Sequence, residues 1–162
     1  MVLIKDNNWT RLKVARNFAS LIGRLGWAEP SKFRFAQLLM LRRFNTGYED
    51  GKYSVPAGHV ESGEPITKAM VREAFEEVGI KLDADNLKLV HTMHRPDDDG
   101  RIGFFFATNQ WEGEPINKEP HKCDGLGWFS VNSLPPNTIP YIRTAIEHIS
   151  NNIASSEFNW GR

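Results

Sequence analysis

Apolar and polar positions along the chain follow two periods. In "FRFAQLLMLRRF" (33–44), Phe33 and Phe35 alternate with polar neighbours, and an apolar run continues through Leu41. Such a run suits a strand buried on both faces. "NTGYEDGKYSVPAG" (45–58) is rich in Gly, Asp and Pro and predicts a loop. "NLKLVHTMHR" (86–95) alternates Leu87, Leu89, His91 and Met93 as a strand does. "PDDDGR" (96–101) carries an Asp-Gly turn signal and "IGFFFAT" (102–108) reads as a strand, so the two strands predict a hairpin. "GLGWFSV" (125–131) is a further strand. In "IPYIRTAIEHISNNI" (139–153) the period changes: Ile142, Ala145, Ile146, Ile149 and Ile153 fall at helical spacing, with Pro140 in the first turn. Near the start, Leu12, Ala15, Phe18, Ile22 and Leu25 favour a helix over 9–25, with a strand over 14–22 as the alternative. No repeat, linker or low-complexity segment interrupts this order of mixed α and β elements.

One further helix carries an electrostatic conflict. Thr67 to Val78 contains no Gly or Pro; Glu64 and Pro65 precede it and Gly79 ends it, which predicts a helix over 66–78. Val71, Ala74, Phe75 and Val78 form its apolar stripe. At about 100° per residue, Glu76 lies about 60° to one side of Glu73 and Glu77 about 40° to the other, so three carboxylates share one arc. Like charges at these spacings cost roughly 0.2–0.5 kcal/mol per pair, and one Arg72–Glu76 pair offsets only part of that. A divalent cation resolves the conflict. Hard oxygen ligands suit Mg²⁺ or Mn²⁺, and Mg²⁺ keeps open positions for water and phosphate oxygens.

Composition narrows the setting. A length of 162 residues fits a single domain over 1–162, with the structure of 1–30 unassigned. Twenty basic and twenty acidic residues leave no global field for nucleic acid or membrane. Cys123 is the only cysteine, so no intramolecular disulfide can form. No apolar run approaches 18 residues, and the four-residue apolar run in "MVLIKDNNWTR" is too short for a signal-peptide core. The expected location is the cytoplasm; a homodimer stays open.

The letters around the glutamates are more specific than the charges. Gly58, Glu64, Arg72, Glu73, Ala74, Glu76, Glu77, Gly79 and Ile80 fit the spacing G-x(5)-E-x(7)-R-E-U-x-E-E-x-G-U, with U aliphatic. At about 6% per letter, seven fixed matches arise by chance less than about once in a million chains. The segment resembles the Nudix box, and the strand and loop context extends the likeness over most of 33–153. The resemblance implies an α/β/α sandwich around a mixed sheet, with the box as loop–helix–loop. It implies Glu73, Glu76 and Glu77 as metal ligands, with the backbone carbonyl of Gly58 as a fourth. Glu64 and Arg72 become supports that keep loop and helix in register, and Gly58 and Gly79 meet backbone demands at the ends. One departure is Ala57 in "VPAGH", where the family often has a second glycine.

The implied activity is Mg²⁺- or Mn²⁺-dependent hydrolysis of a diphosphate bond in a nucleoside diphosphate linked to X. The substrate expected is small: a nucleoside triphosphate or a compact nucleotide conjugate. RNA 5′-end removal, a non-catalytic nucleotide-binding module and an isopentenyl-diphosphate isomerase-like enzyme are the alternatives. Outside the box, Arg42, Arg43 and His59 are candidates for substrate contact, as are His91 and His94. Phe44, Tyr53 or Trp128 would stack a base, while Cys123 reads as inert. Nudix enzymes often add an acidic residue from a loop before a strand with a Trp. In "WEGEPINKEPHKCDGLGWF" (111–129), Glu119 has that position, as a further ligand or general base. Glu112 and Glu114 read as solvated, and Asp124 as a turn residue.

Overall fold

The computed structural model describes residues 2–5, 36–97 and 100–161. The segment 9–25, where the sequence predicts a helix, lies outside the described residues, as do Phe33 and Phe35.

The described chain forms a seven-stranded mixed sheet with a helix on each face. Strands β1 (Val2–Lys5), β2 (Gln37–Arg43) and β3 (Tyr53–Ser54) precede helix α1 (Ile66–Val78). After a 3₁₀ turn at Ala84–Asn86 come β4 (Lys88–Arg95), β5 (Arg101–Thr108) and β6 (Cys123–Ser130), then helix α2 (Pro140–Ser150) and β7 (Ser155–Glu157). The sheet runs β3-β2-β1-β5-β4-β7, with β6 paired to β2. β1 joins the two halves: it runs antiparallel to β2 and parallel to β5.

Central β2 is buried on both sides, as its apolar run predicts. Leu38 and Met40 pack in the cluster that receives Ile142, Ala145, Ile146 and Ile149 of α2. Leu39 packs in the opposite cluster with Met70, Ala74 and Val78 of α1. The "FFF" of β5 divides the same way: Phe105 joins the α2 layer and Phe106 the α1 layer. These two cores make an α/β/α sandwich, the fold class expected.

Several local expectations change. In β4 the alternation breaks at a bulge between Leu89 and His91. The extra residue shifts the phase, so His91 and Met93 are buried while Leu89 is half exposed. On α1 the core face runs through Met70, Ala74 and Val78; Phe75 sits on its flank, 45% exposed, with the Lys118 ammonium 4.1 Å above its ring. Helix α2 stops at Ser150, before Ile153, and Asn152 turns the chain at φ 56°. That turn delivers β7, which the sequence does not announce. Its Ser-Ser-Glu is polar, and it is held by parallel pairing with β4 and by His91, whose ring nitrogens bond the Ile153 carbonyl and the Ser156 hydroxyl.

The ends of α1 show why it stops where it does. Pro65 caps the start through its carbonyl, which accepts from Lys68 and Ala69. Gly79 takes φ 71°, a left-handed conformation that β-carbon-bearing residues disfavour. The last helical carbonyls then receive outside donors: Lys118 N–H bonds the Glu77 carbonyl at 3.1 Å and Ile116 N–H the Val78 carbonyl at 3.0 Å. The helix end and the loop after β5 are thus stitched together. Gly79→Ala should destabilise the protein by about 1–2 kcal/mol, from the left-handed φ alone. It also brings a methyl within 3.0 Å of Ile116 Cγ1, so the loss should be no smaller. A denaturant midpoint equal to wild type would contradict this account of the helix end.

Candidate active site

The box residues meet in a cleft of about 420 Å³, lined among others by Ala57, Gly58, His59, Glu61, Arg72, Glu73, Glu76 and Glu77. Five carboxylates line it, Glu119 being the fifth, against three basic side chains, Arg43, Arg72 and Lys122.

Arg72 organises this excess of negative charge. Its Nε and Nη2 donate to the two oxygens of Glu64 at 3.1 and 3.0 Å. Its Nη1 reaches Glu73 Oε1 at 2.8 Å and Glu76 Oε2 at 3.1 Å, and Nη2 also bonds the His59 carbonyl at 3.0 Å. One guanidinium therefore ties the loop to the helix and offsets three carboxylates, where the helix alone suggests one. The Arg72 guanidinium, with help from Glu61 N–H, holds the Glu64 carboxyl below the usual carboxylate range.

Gly58 faces Glu73 so closely that a Cβ built there would land on the Glu73 carboxylate. The glycine is a cradle for that side chain. Next to it, Ala57 donates its N–H to Glu77 Oε2 at 3.0 Å. The Ala57 side chain is exposed, so the methyl that departs from the family pattern is directed away from crowding. Burial raises the Glu77 carboxyl from an ordinary 4.5 to about 7; the Glu73 and Glu119 charges add to the effect and the Ala57 N–H opposes it.

Glu119 enters from the loop stitched to the end of α1. Asn117 fixes that loop by accepting from Glu119 N–H at 3.0 Å and donating to the Cys123 carbonyl at 2.6 Å. The Glu119 carboxylate pairs with Lys122 Nζ at 2.7 Å. Lys122 is a cleft residue that sequence reasoning missed. The available signal was its place three residues after Glu119 in "EPHK", a spacing that lets a turn pair them.

The remaining candidates separate. Arg43 lines the cleft, with Nε on the Tyr48 carbonyl at 2.7 Å and Nη2 on Thr46 Oγ1 at 3.0 Å. Arg42 does not; it forms a two-bond pair with Asp124, both at 2.7 Å. Asp124 is not a turn residue. It is the extra residue of a bulge in β6, between the partners of Arg42 and Arg43. His59 lines the cleft, whereas His91 and His94 lie on β4 beside β7. Tyr53 packs edge-on against Phe129 and Trp128 stacks on Trp111, which leaves Phe44, 48% exposed, as the open aromatic of those three. Cys123 is buried, donates its thiol to the Gly125 carbonyl at 3.2 Å, and has its pKa pushed up by burial.

Glu73, Glu76, Glu77 and the Gly58 backbone could hold a divalent ion, and their hard oxygens fit Mg²⁺ or Mn²⁺. Arg72 now draws Glu73 and Glu76 to itself. Among the described residues no three His, Cys, Asp or Glu side chains are gathered closely enough to hold an ion as they stand. Ligation by Glu73 or Glu76 would exchange its Arg72 contact for a bond to the ion, a change at a side chain and not of the fold.

An α/β/α sandwich with an acidic, arginine-braced cleft along the second half of one helix defines the class. The NUDIX domain family model matches residues 31–149, and the chain belongs to this family. It is 30% identical over 126 residues to the NAD-capped RNA hydrolase NudC of Chromobacterium violaceum, a match covering 76% of this chain and 45% of that protein. The chain thus spans less than half the length of that relative. It is 31% identical over 109 residues to the 8-oxo-dGTP diphosphatase of Escherichia coli K12, covering 65% of this chain and 83% of that protein. The MutT NUDIX hydrolase of Burkholderia pseudomallei superposes with a TM-score of 0.62 at 28% identity, covering 68% of this chain and 86% of that one.

The raised Glu77 carboxyl has a signed consequence. The folded protein holds this proton more tightly than the unfolded chain does. In metal-free protein the stabilising contribution is therefore full below pH 4.5 and lost as pH rises through about 7. A divalent ion held by Glu77 would displace the same proton, and in that case Mn²⁺ affinity should rise up to about tenfold per unit towards pH 7 and level off above it. Manganese titration followed by electron paramagnetic resonance at pH 6, 7 and 8 checks this. A flat profile would mean that Glu77 takes no part in ligation.

Proposed function

We propose that this protein hydrolyses a diphosphate bond in a small nucleotide, a nucleoside diphosphate linked to X, with Mg²⁺ or Mn²⁺ as cofactor. The observation that carries the reading is the charge of the cleft, with five carboxylates facing three basic side chains. A polyphosphate does not enter such a cleft unless cations come with it. The two relatives are named as a NAD-capped RNA hydrolase and an 8-oxo-dGTP diphosphatase, and both names give a substrate that contains a nucleotide. The shorter relative, matched over 83% of its length, favours a nucleotide over a capped RNA. The balanced charge of the chain likewise offers no surplus for long RNA contacts.

Glu73, Glu76, Glu77 and the Gly58 carbonyl would hold the ion. A bound divalent ion neutralises phosphate charge and makes water easier to deprotonate. The residues of this chain supply positioning and proton transfer. Arg72 and Glu64 hold the box loop against α1, which keeps the carboxylate wall in place. Glu77, half buried with a pKa of about 7, suits a group that takes and returns a proton near neutrality. Glu119 faces it from the stitched loop and contributes to that raised value. The isomerase-like alternative needs a reactive thiol, and the buried, hydrogen-bonded Cys123 is a poor one. Among the described residues no helix is long and apolar enough to cross a membrane, and a cytoplasmic setting is part of the proposal.

A hydrolysis screen tests the reading. Nucleoside triphosphates, sugar nucleotides, dinucleoside polyphosphates and coenzymes are each incubated with Mg²⁺, and products are identified. At least one small nucleotide should turn over, and Glu77→Gln should lower kcat by at least about 10²-fold with the fold retained. Failure of the whole panel, or near-wild-type turnover by Glu77→Gln at saturating Mg²⁺, would overturn it.

A further inference from the structure

The three basic side chains of the cleft are not equivalent. Arg72 spends its Nε, Nη1 and Nη2 on Glu64, Glu73, Glu76 and the His59 carbonyl. Arg43 spends Nε and Nη2 on Tyr48 and Thr46. Both hold the walls. Lys122 differs, because its ammonium has three donors and, among the described residues, one hydrogen-bond partner, Glu119 Oε1 at 2.7 Å. The Lys122 side chain is 53% exposed, and Glu119, Glu77 and Glu73 are the charges it feels.

The backbone beneath it is fixed. Lys122 N–H and Cys123 N–H both donate to the Glu119 carbonyl at 2.9 Å, and Phe44 N–H donates to the Lys122 carbonyl at 2.8 Å. The β6 bulge at Asp124, locked by Arg42, sets the register immediately after it. A long cation thus stands on a hydrogen-bonded backbone in the loop that also carries Glu119. Its ion pair is solvent-exposed, of the kind that contributes little and separates easily. An ammonium is also a suitable point charge for phosphate oxygens.

We propose that Lys122 is a phosphate-contacting residue: it rests on Glu119 in this structure and moves onto a non-bridging oxygen of a bound diphosphate, which frees the Glu119 carboxylate to face the reacting centre. The proposal rests on the reading of the cleft as a diphosphate site, and it assigns Lys122 a part in ground-state binding. Replacing Lys122 should therefore raise KM more than it lowers kcat, and should not weaken binding of the divalent ion itself.

The test uses magnesium imidodiphosphate, a diphosphate probe that does not depend on turnover, titrated calorimetrically into the full chain. Lys122→Met should weaken its binding by at least about fivefold, with Lys122→Arg staying nearer wild type and Mg²⁺ alone binding as before. A smaller loss, an equal loss for Mg²⁺ alone, or no imidodiphosphate binding by the wild type overturns the proposal. If the nucleotide screen fails while the probe binds in a Lys122-dependent way, the hydrolase reading falls and this one stands. If nucleotides turn over while the probe ignores Lys122, the reverse holds.

Discussion

The site depends on one guanidinium. Without Arg72, Glu73 and Glu76 would stand on one helix face with no positive partner there, and Glu64 would lose both of its charged hydrogen bonds. The same group bonds the His59 carbonyl, so the loop that carries Gly58 is held to the helix that carries Glu73. Charge compensation and loop placement are a single constraint. It explains why a neutral chain can concentrate acid in one cleft and still fold: the repulsion is offset by an arginine and, in the proposed working state, by a metal ion as well.

The second wall is built differently. Here the helix end is satisfied by amides of the loop 111–122, which bond the carbonyls of Glu77 and Val78. The free carbonyls that every helix end leaves are thereby used to dock the loop bearing Glu119 and Lys122. Local backbone chemistry and the function of the cleft are coupled through those two hydrogen bonds. A lysine on this wall would give an anionic substrate a contact that Arg72, whose Nε, Nη1 and Nη2 are all engaged, does not offer.

Much of this was legible in the sequence where identity is tied to fixed spacing. The helix 66–78 emerged with its observed limits because Pro65 and Gly79 mark both ends. The acidic arc followed from helical geometry, and the central strand from an unbroken apolar run. What stayed hidden depends on pairing. The bulges at Val90 and Asp124 cannot be read from either strand alone, and each reverses an expectation: Leu89 turns outward, and Asp124 leaves a turn to clamp Arg42. Strand β7 has no apolar signature because main-chain pairing and His91 hold it. For Lys122 the sequence offers only the spacing in "EPHK", since its place in the cleft follows from the bulge and from the stitched loop.

The central claim is that the carboxylates now shared with Arg72 give way to a divalent ion within this cleft. Anomalous diffraction from a crystal grown with Mn²⁺ tests it most directly. The account predicts a manganese peak between Glu73, Glu76 and Glu77, with Glu73 or Glu76 turned away from Arg72 while the Arg72–Glu64 pair stays intact. A peak elsewhere on the surface, or a cleft without manganese under conditions in which the protein hydrolyses a nucleotide, would contradict it.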